Sequence, residues 1–185
     1  MRVEVLGDVS FRARNANWRE EARGLIESAS DYYEREFDIR FVTQSVSAWP
    51  ENDRVPSTPE LLARAKKEFA ASPSANYDLI VIFTAEGISR ILTAGRPRVD
   101  RIGNCTQGLG RYVIVPVTKI FHYQGPNSEP EFDVLALVHE LGHVFGAEHV
   151  TDTRSIMHED LGYRTEFDAK NRAIIQKNRL CPFAN

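Results

Sequence analysis

Cysteine is scarce in this 185-residue chain: Cys105 and Cys181 are the only two, and neither is spaced for a metal site. A disulfide-dense framework is excluded, which leaves free thiols in a reducing compartment or one disulfide. Methionine is as rare, Met157 being the one besides Met1. Positive charge is not in excess: 23 Lys and Arg against 26 Asp and Glu give a formal charge of -3, without the basic footprint that nucleic-acid binding needs. Long apolar runs are missing too, since a run such as Leu79 to Phe83 falls far short of the roughly 20 residues that span a bilayer. Met1 to Asp8 has no apolar signal-peptide core, so the expected location is cytoplasmic unless the chain is the processed form of a secreted protein. Repeats and low-complexity tracts are absent. What remains, 42% hydrophobic and 26% charged residues, suits one compact domain with its own core.

Histidine is present but unevenly placed: of five, three fall within the eleven residues from His139 to His149. Four residues apart on a helix, His139 and His143 project from one face, a turn apart. Catalytic zinc usually takes three protein ligands and keeps a fourth position for water. His149 completes the set only if the helix ends first, because a continuing helix would carry it round the cylinder. Gly146, free to adopt a positive φ, is the residue that lets the chain turn. Glu140 lies about 100° round the helix from His139 and faces the same cavity. It reads as general base toward a zinc-activated water and as the acid that then protonates the leaving amine. A lone helical histidine is ordinarily a surface or core residue, and a bare HExxH arises by chance. Three histidines and a glycine in this spacing point instead to one zinc ion.

With HExxHxxGxxH the chain resembles the metzincin clan of zinc endopeptidases. The clan's second mark, a methionine-containing turn beneath the metal, has its counterpart in Ser155-Ile156-Met157. A core methionine filling a gap reads the same way, and the clan's methionine packs there without ligating. The short stretch from His149 to Met157, with Asp152 between them, is similar to matrixin-like and archaemetzincin-like members. Two positions depart from the family patterns: Val150 stands where a polar family marker is expected, and Glu159 where astacins carry a zinc-binding tyrosine. Archaemetzincins also have a cysteine-rich second zinc site downstream, and only Cys181 lies downstream here. Matrixin-type ligand loops are not evident, and His122 and His158 lack a cluster of partners, so one catalytic ion is the expected count. A bridge in adamalysin-like metzincins, from the upper domain to the end of the C-terminal helix, favours a Cys105 to Cys181 disulfide and leaves free thiols open.

Along the chain, Arg2 to Leu6 alternates as a strand. Asn17-Trp18-Arg19-Glu20 reads as a capping box opening a long helix with the stripe Trp18, Ala22, Leu25, Ile26, Ala29 and Tyr33. Ile39 to Val46 has strand character, closed by Trp49-Pro50 before a polar loop. Thr58-Pro59 starts a helix running to about Ala71. Leu79 to Phe83, apolar throughout, reads as a central strand covered on both faces, and Tyr112 to Val117 as another. Thr84 to Arg111, rich in glycine and arginine, reads as irregular with room for an edge strand. Ser128-Glu129-Pro130-Glu131 reads as the capping box of the helix bearing His139 and His143. Thr165-Glu166-Phe167-Asp168 reads as that of a C-terminal helix burying Phe167, Ile174 and Ile175. Composition and order alone say α+β or α/β.

The resemblance implies an α+β fold with an α/β-like upper part: a metzincin-like twisted mixed sheet, an active-site helix, and a small C-terminal subdomain with the Met-turn and terminal helix. One catalytic domain, 1–185, would divide into an upper subdomain of about 1–146 and a lower one of about 147–185. The substrate backbone would add as an antiparallel strand to an edge within Ile102 to Leu109, for which an ordinary loop is the other reading. The segment Glu159 to Arg164 would line a substrate pocket, with Tyr163 either offering its hydroxyl to the oxyanion or packed on the surface. The expected function is a zinc-dependent endopeptidase, monomeric, acting on peptide or protein substrates without nucleic acid or membrane insertion. The alternative is a zinc-holding peptide-binding domain that is idle or catalytically restricted, against which an intact Glu140 argues.

Overall fold

The computed structural model describes residues 1–49, 58–69, 76–85 and 97–184. Strands β1 (Arg2–Gly7), β2 (Val42–Ala48), β3 (Leu79–Thr84) and β4 (Tyr112–Pro116) form one sheet in the order β2-β1-β3-β4. Every pairing between them is parallel. Parallel neighbours need crossovers. Helices α1 (Val9–Arg14) and α2 (Trp18–Phe37) lie between β1 and β2, and α3 (Thr58–Phe69) between β2 and β3. After β4 come α4 (Phe132–Val144) and α5 (Ala169–Asn178).

Successive side chains of a strand go to opposite faces of the sheet, and in β3 every one is buried. Leu79, Val81 and Phe83 enter one core with residues of α2 and α4, including Leu25, Tyr33 and Leu141. Ile80 and Ile82 enter a second with Trp49 and with Leu61 and Ala65 of α3. The unbroken apolar run thus corresponds to a strand covered on both faces, as read from the sequence. Antiparallel pairing to the sheet is reduced, among the described residues, to one bridge on the outer edge of β4. There Val99 faces Val113, Ile114 N–H reaches Arg98 O at 2.9 Å, and Asp100 N–H reaches Tyr112 O at 3.1 Å.

Among the described residues the edge therefore stands at Arg98 to Asp100, and Ile102 to Leu109 takes the second of its two readings, a loop. Asp100 ends the pairing, because its Oδ1 captures the backbone N–H groups of Arg111 and Tyr112 at 2.8 and 3.0 Å. Ile102 to Leu109 forms instead a turn in which Asn104 pairs with Gly108 and Leu109 pairs with Phe183. Of the two states open to the cysteines the structure has the disulfide, which ties this turn to the segment after α5 across 76 residues.

The α2 stripe from Trp18 to Tyr33 is buried as expected, and the Tyr33 hydroxyl donates to Val138 O of α4 at 2.9 Å. Asp38, at φ 59°, reverses the chain after α2, with Ile39 N–H bonded to Tyr33 O at 3.3 Å. Ile39 and Phe41 fold back into the core, which is why β2 starts at Val42 and not at Ile39. The three expected capping boxes lack their side-chain bonds, since the residues concerned are engaged elsewhere. Asn17 stands at the N-cap of α2 with its N–H taken by Asn15. The Ser128 hydroxyl donates to Gly125 O at 2.7 Å, and α4 starts later, after Glu131. Thr165 offers its carbonyl to the Tyr32 hydroxyl, and Asp168 caps α5. Phe167 and Ile175 are buried and Ile174 is half-buried. The polar loop after Trp49, the helix end near Ala71 and most of the glycine- and arginine-rich stretch fall on 50–57, 70–75 and 86–96, outside the described residues.

Candidate metal centre

From Asp133 to Val144 every residue of α4 is buried. Such a helix is apolar all round and can carry polar side chains only where partners receive them. His139 and His143 leave it on one face, their rings edge to face with centroids 4.9 Å apart. Gly146, at φ 99°, ends the helix: its N–H bonds His143 O at 3.0 Å and the next N–H, of Ala147, bonds Gly142 O at 2.9 Å. The turn brings His149 back to the other two. The three Nε2 atoms stand 3.1 to 3.2 Å from one another. Three nitrogens at about 2.0–2.1 Å from one tetrahedral ion would stand about 3.3 Å apart.

The tautomers agree with that geometry. Nδ1–H of His139 donates to Ile156 O at 2.6 Å and Nδ1–H of His143 to Ala147 O at 2.7 Å, which leaves both Nε2 atoms as bare lone pairs aimed at one point. Burial keeps these imidazoles neutral: that of His143 falls to about 3 and that of His139 well below the usual range. Convergent buried acceptors with no donor among them fit a zinc ion. Among the described residues this is the one cluster of three or more metal-ligating side chains, and His122 and His158 stand outside it.

Residues 1–184 match a reprolysin model described as Metallo-peptidase family M12. The chain belongs to metallopeptidase family M12. Its fold is similar to the crystal structure of archaemetzincin (amzA) from Methanopyrus kandleri, with a TM-score of 0.60 and 21% identity over 97% of this chain and 95% of that one. No curated protein matches it. As an M12 metallopeptidase it is a zinc metalloprotease with a peptide or protein substrate, and His139, His143 and His149 are the group that could hold its zinc. No helix among the described residues is long and apolar enough to cross a membrane.

Met157 in this M12 chain is fully buried, and its Sδ lies 2.8 Å from where a Cβ on Gly142 would sit, one residue before His143. The Ser155 to Met157 turn thus packs under the ligand-bearing helix, and a side chain at position 142 would collide with it. Glu140, 1% exposed, points toward an arginine that the sequence did not single out. Arg98 Nη1 donates to Oε1 at 2.9 Å and Arg98 N–H to Oε2 at 2.7 Å. Burial pushes the carboxyl up to about 7 against the pull of that guanidinium. Tyr163 is 72% exposed and rests against Phe132 at the start of α4, ring centroids 5.6 Å apart.

Proposed function

We propose that this M12 chain is an endopeptidase that cuts extended peptide segments, with Glu140 as general base. The observation that carries the reading is a carboxylate buried one residue beyond the ligand His139 and held in a single orientation. His139, His143 and His149 would hold the zinc, which would supply Lewis-acid polarisation of a carbonyl and acidify a water. Glu140 takes the proton of the attacking water and returns it to the leaving amine. Gly146 sets the position of His149, Met157 floors the site, and Tyr163 borders the substrate pocket. The unit is one monomeric catalytic domain, 1–185, with an upper part of about 1–146 and a lower part of about 147–185. The Cys105 to Cys181 disulfide supports an oxidising compartment over the cytoplasm.

A catalytically restricted domain is the second reading, and the near-complete burial of Glu140 against Arg98 favours it. Wild type and Glu140→Ala are compared for bound zinc and for cleavage of a mixed peptide library. Both should hold zinc, and wild type alone should cut, at internal bonds. Equal hydrolysis by the two removes Glu140 from the chemistry, terminal cuts alone make the enzyme an exopeptidase, and zinc without cutting in wild type selects the restricted domain.

A further inference from the structure

The third ligand, His149, sits outside any helix or strand, and the backbone just before it is irregular. Two asparagines of α5 reach that backbone. Asn171 and Asn178, two helical turns apart and therefore on one face, are 0% and 7% exposed, whereas Ala173, Gln176 and Lys177 face outward. Asn178 Nδ2 donates to Phe145 O at 2.8 Å, next to the helix-ending Gly146. Asn171 holds both backbone groups of Glu148: Oδ1 accepts the Glu148 N–H at 3.0 Å and Nδ2 donates to Glu148 O at 2.9 Å. This amide stands in for a paired strand, and bonding both groups of one residue fixes which way it points.

The contacts continue beneath the site. Asn171 Nδ2 also reaches Asp168 Oδ2 at 2.8 Å, the same oxygen receives the Ser155 hydroxyl at 2.7 Å, and Ser155 Oγ accepts Met157 N–H at 3.1 Å. Ile156, inside that turn, supplies the carbonyl that orients His139. One hydrogen-bonded chain, part-buried along most of its length, therefore links the support of the first ligand to the residue preceding the third. A cap on a short helix needs none of this reach, since Asp168 already satisfies the Asn171 N–H.

We infer that Asn171, assisted by Asn178, is a positioning residue of the metal site: it presets the backbone that delivers His149, and with it the affinity for zinc. This rests on the three histidines binding zinc. The test measures the zinc dissociation constant by competition with a chromophoric chelator, on protein whose folding is checked by circular dichroism. Asn171→Ala should bind zinc about 10- to 100-fold more weakly than wild type, in line with other groups that orient metal ligands, and Asn178→Ala more weakly by a smaller factor. Leu61→Ala, in the core on the other face of the sheet, should unfold earlier with unchanged zinc affinity. Peptide cleavage by Asn171→Ala should return at saturating zinc, because the amide touches no substrate.

Where Asn171→Ala does not fold, Asn171→Asp, which keeps the acceptor for Glu148 N–H and loses the donor, carries the same comparison with Asn178→Ala. A folded Asn171 variant with wild-type zinc affinity overturns the inference. Wild type that holds no zinc overturns the metal reading beneath it, so the two failures are distinct.

Discussion

Arg98 holds both carboxylate oxygens of Glu140, one through its guanidinium at 2.9 Å and the other through its own backbone N–H at 2.7 Å, with both side chains buried. Each oxygen keeps a lone pair for a further partner, so the contact orients the carboxylate without consuming it. Arg98 also supplies the carbonyl that pairs with β4, which puts the sheet edge and Glu140 on a single residue.

Removing one member of a buried ion pair strands the other and costs up to about 3–5 kcal/mol, less where the stranded carboxyl takes up a proton, as the burial-raised Glu140 does without its guanidinium. Arg98→Met is expected to lower the unfolding free energy of the metal-free protein by less than that amount near neutral pH, measured in urea. Arg98→Met with Glu140→Leu should recover a large part of it. A single variant as stable as wild type would mean that the pair contributes nothing.

Gly146→Ala is expected to destabilise the fold by about 2 kcal/mol or more, through a strained positive φ and overpacking. Its new Cβ would lie 2.4 Å from Gly103 O and 2.8 Å from Asn178 Nδ2, neither free to withdraw. Thermal unfolding and zinc content report the two parts of the damage. An unchanged melting temperature would contradict the backbone reading of the turn.

Burial alone would raise the Asp168 carboxyl, but hydrogen bonds from the Asn171 N–H, the Ser155 hydroxyl and the Asn171 amide more than offset it and hold it below the ordinary range. A carboxyl depressed by folding contributes stability above its unfolded value, about 3.9, and loses it as pH falls through the lower folded value. Acid unfolding below about pH 4 should therefore be steeper in wild type than in Asp168→Asn, which is weaker at neutral pH and flatter in acid. Followed by circular dichroism, parallel acid limbs would rule out this contribution.

The disulfide closes a loop across 76 residues, for which chain entropy allows up to about 4.5 kcal/mol. Reductant should lower the melting temperature of wild type and leave Cys105→Ser/Cys181→Ser unaffected. A wild-type melt indifferent to reductant would show that the link adds no stability.

The centre was readable in the sequence because its geometry is local. His139 and His143 need only a helix repeat, Gly146 only its missing Cβ, and β3 only an unbroken apolar run. Arg98 escaped because it lies 42 residues from Glu140, and no short-range pattern links a basic residue to a buried acid at such separation. The edge of the sheet falls within the irregular stretch Thr84 to Arg111 but outside Ile102 to Leu109, because among the described residues it shows as one bridge at Val99, too short for alternation to mark it. The capping-box patterns mislead because the Ser128 hydroxyl turns back to Gly125 O and because the C-terminal helix takes its N-cap at Asp168, three residues after Thr165. Asn171 and Asn178 look like surface polar residues in a helix where Gln176 and Lys177 are exposed, and only the backbone of Phe145 and Glu148 shows why they are inside.

The bracing of the third ligand also has a consequence in time. His139 and His143 are aligned within one helix, but the turn to His149 is held by Asn171 and Asn178 and by the link through Cys181, all synthesised later. At about 5–20 residues per second, the chain from His149 to Cys181 takes roughly 2–6 s to make. During that interval all three ligands exist without the geometry that joins them. High-affinity capture of the metal is thus a late step of folding, reached after the helix that carries two of its three ligands.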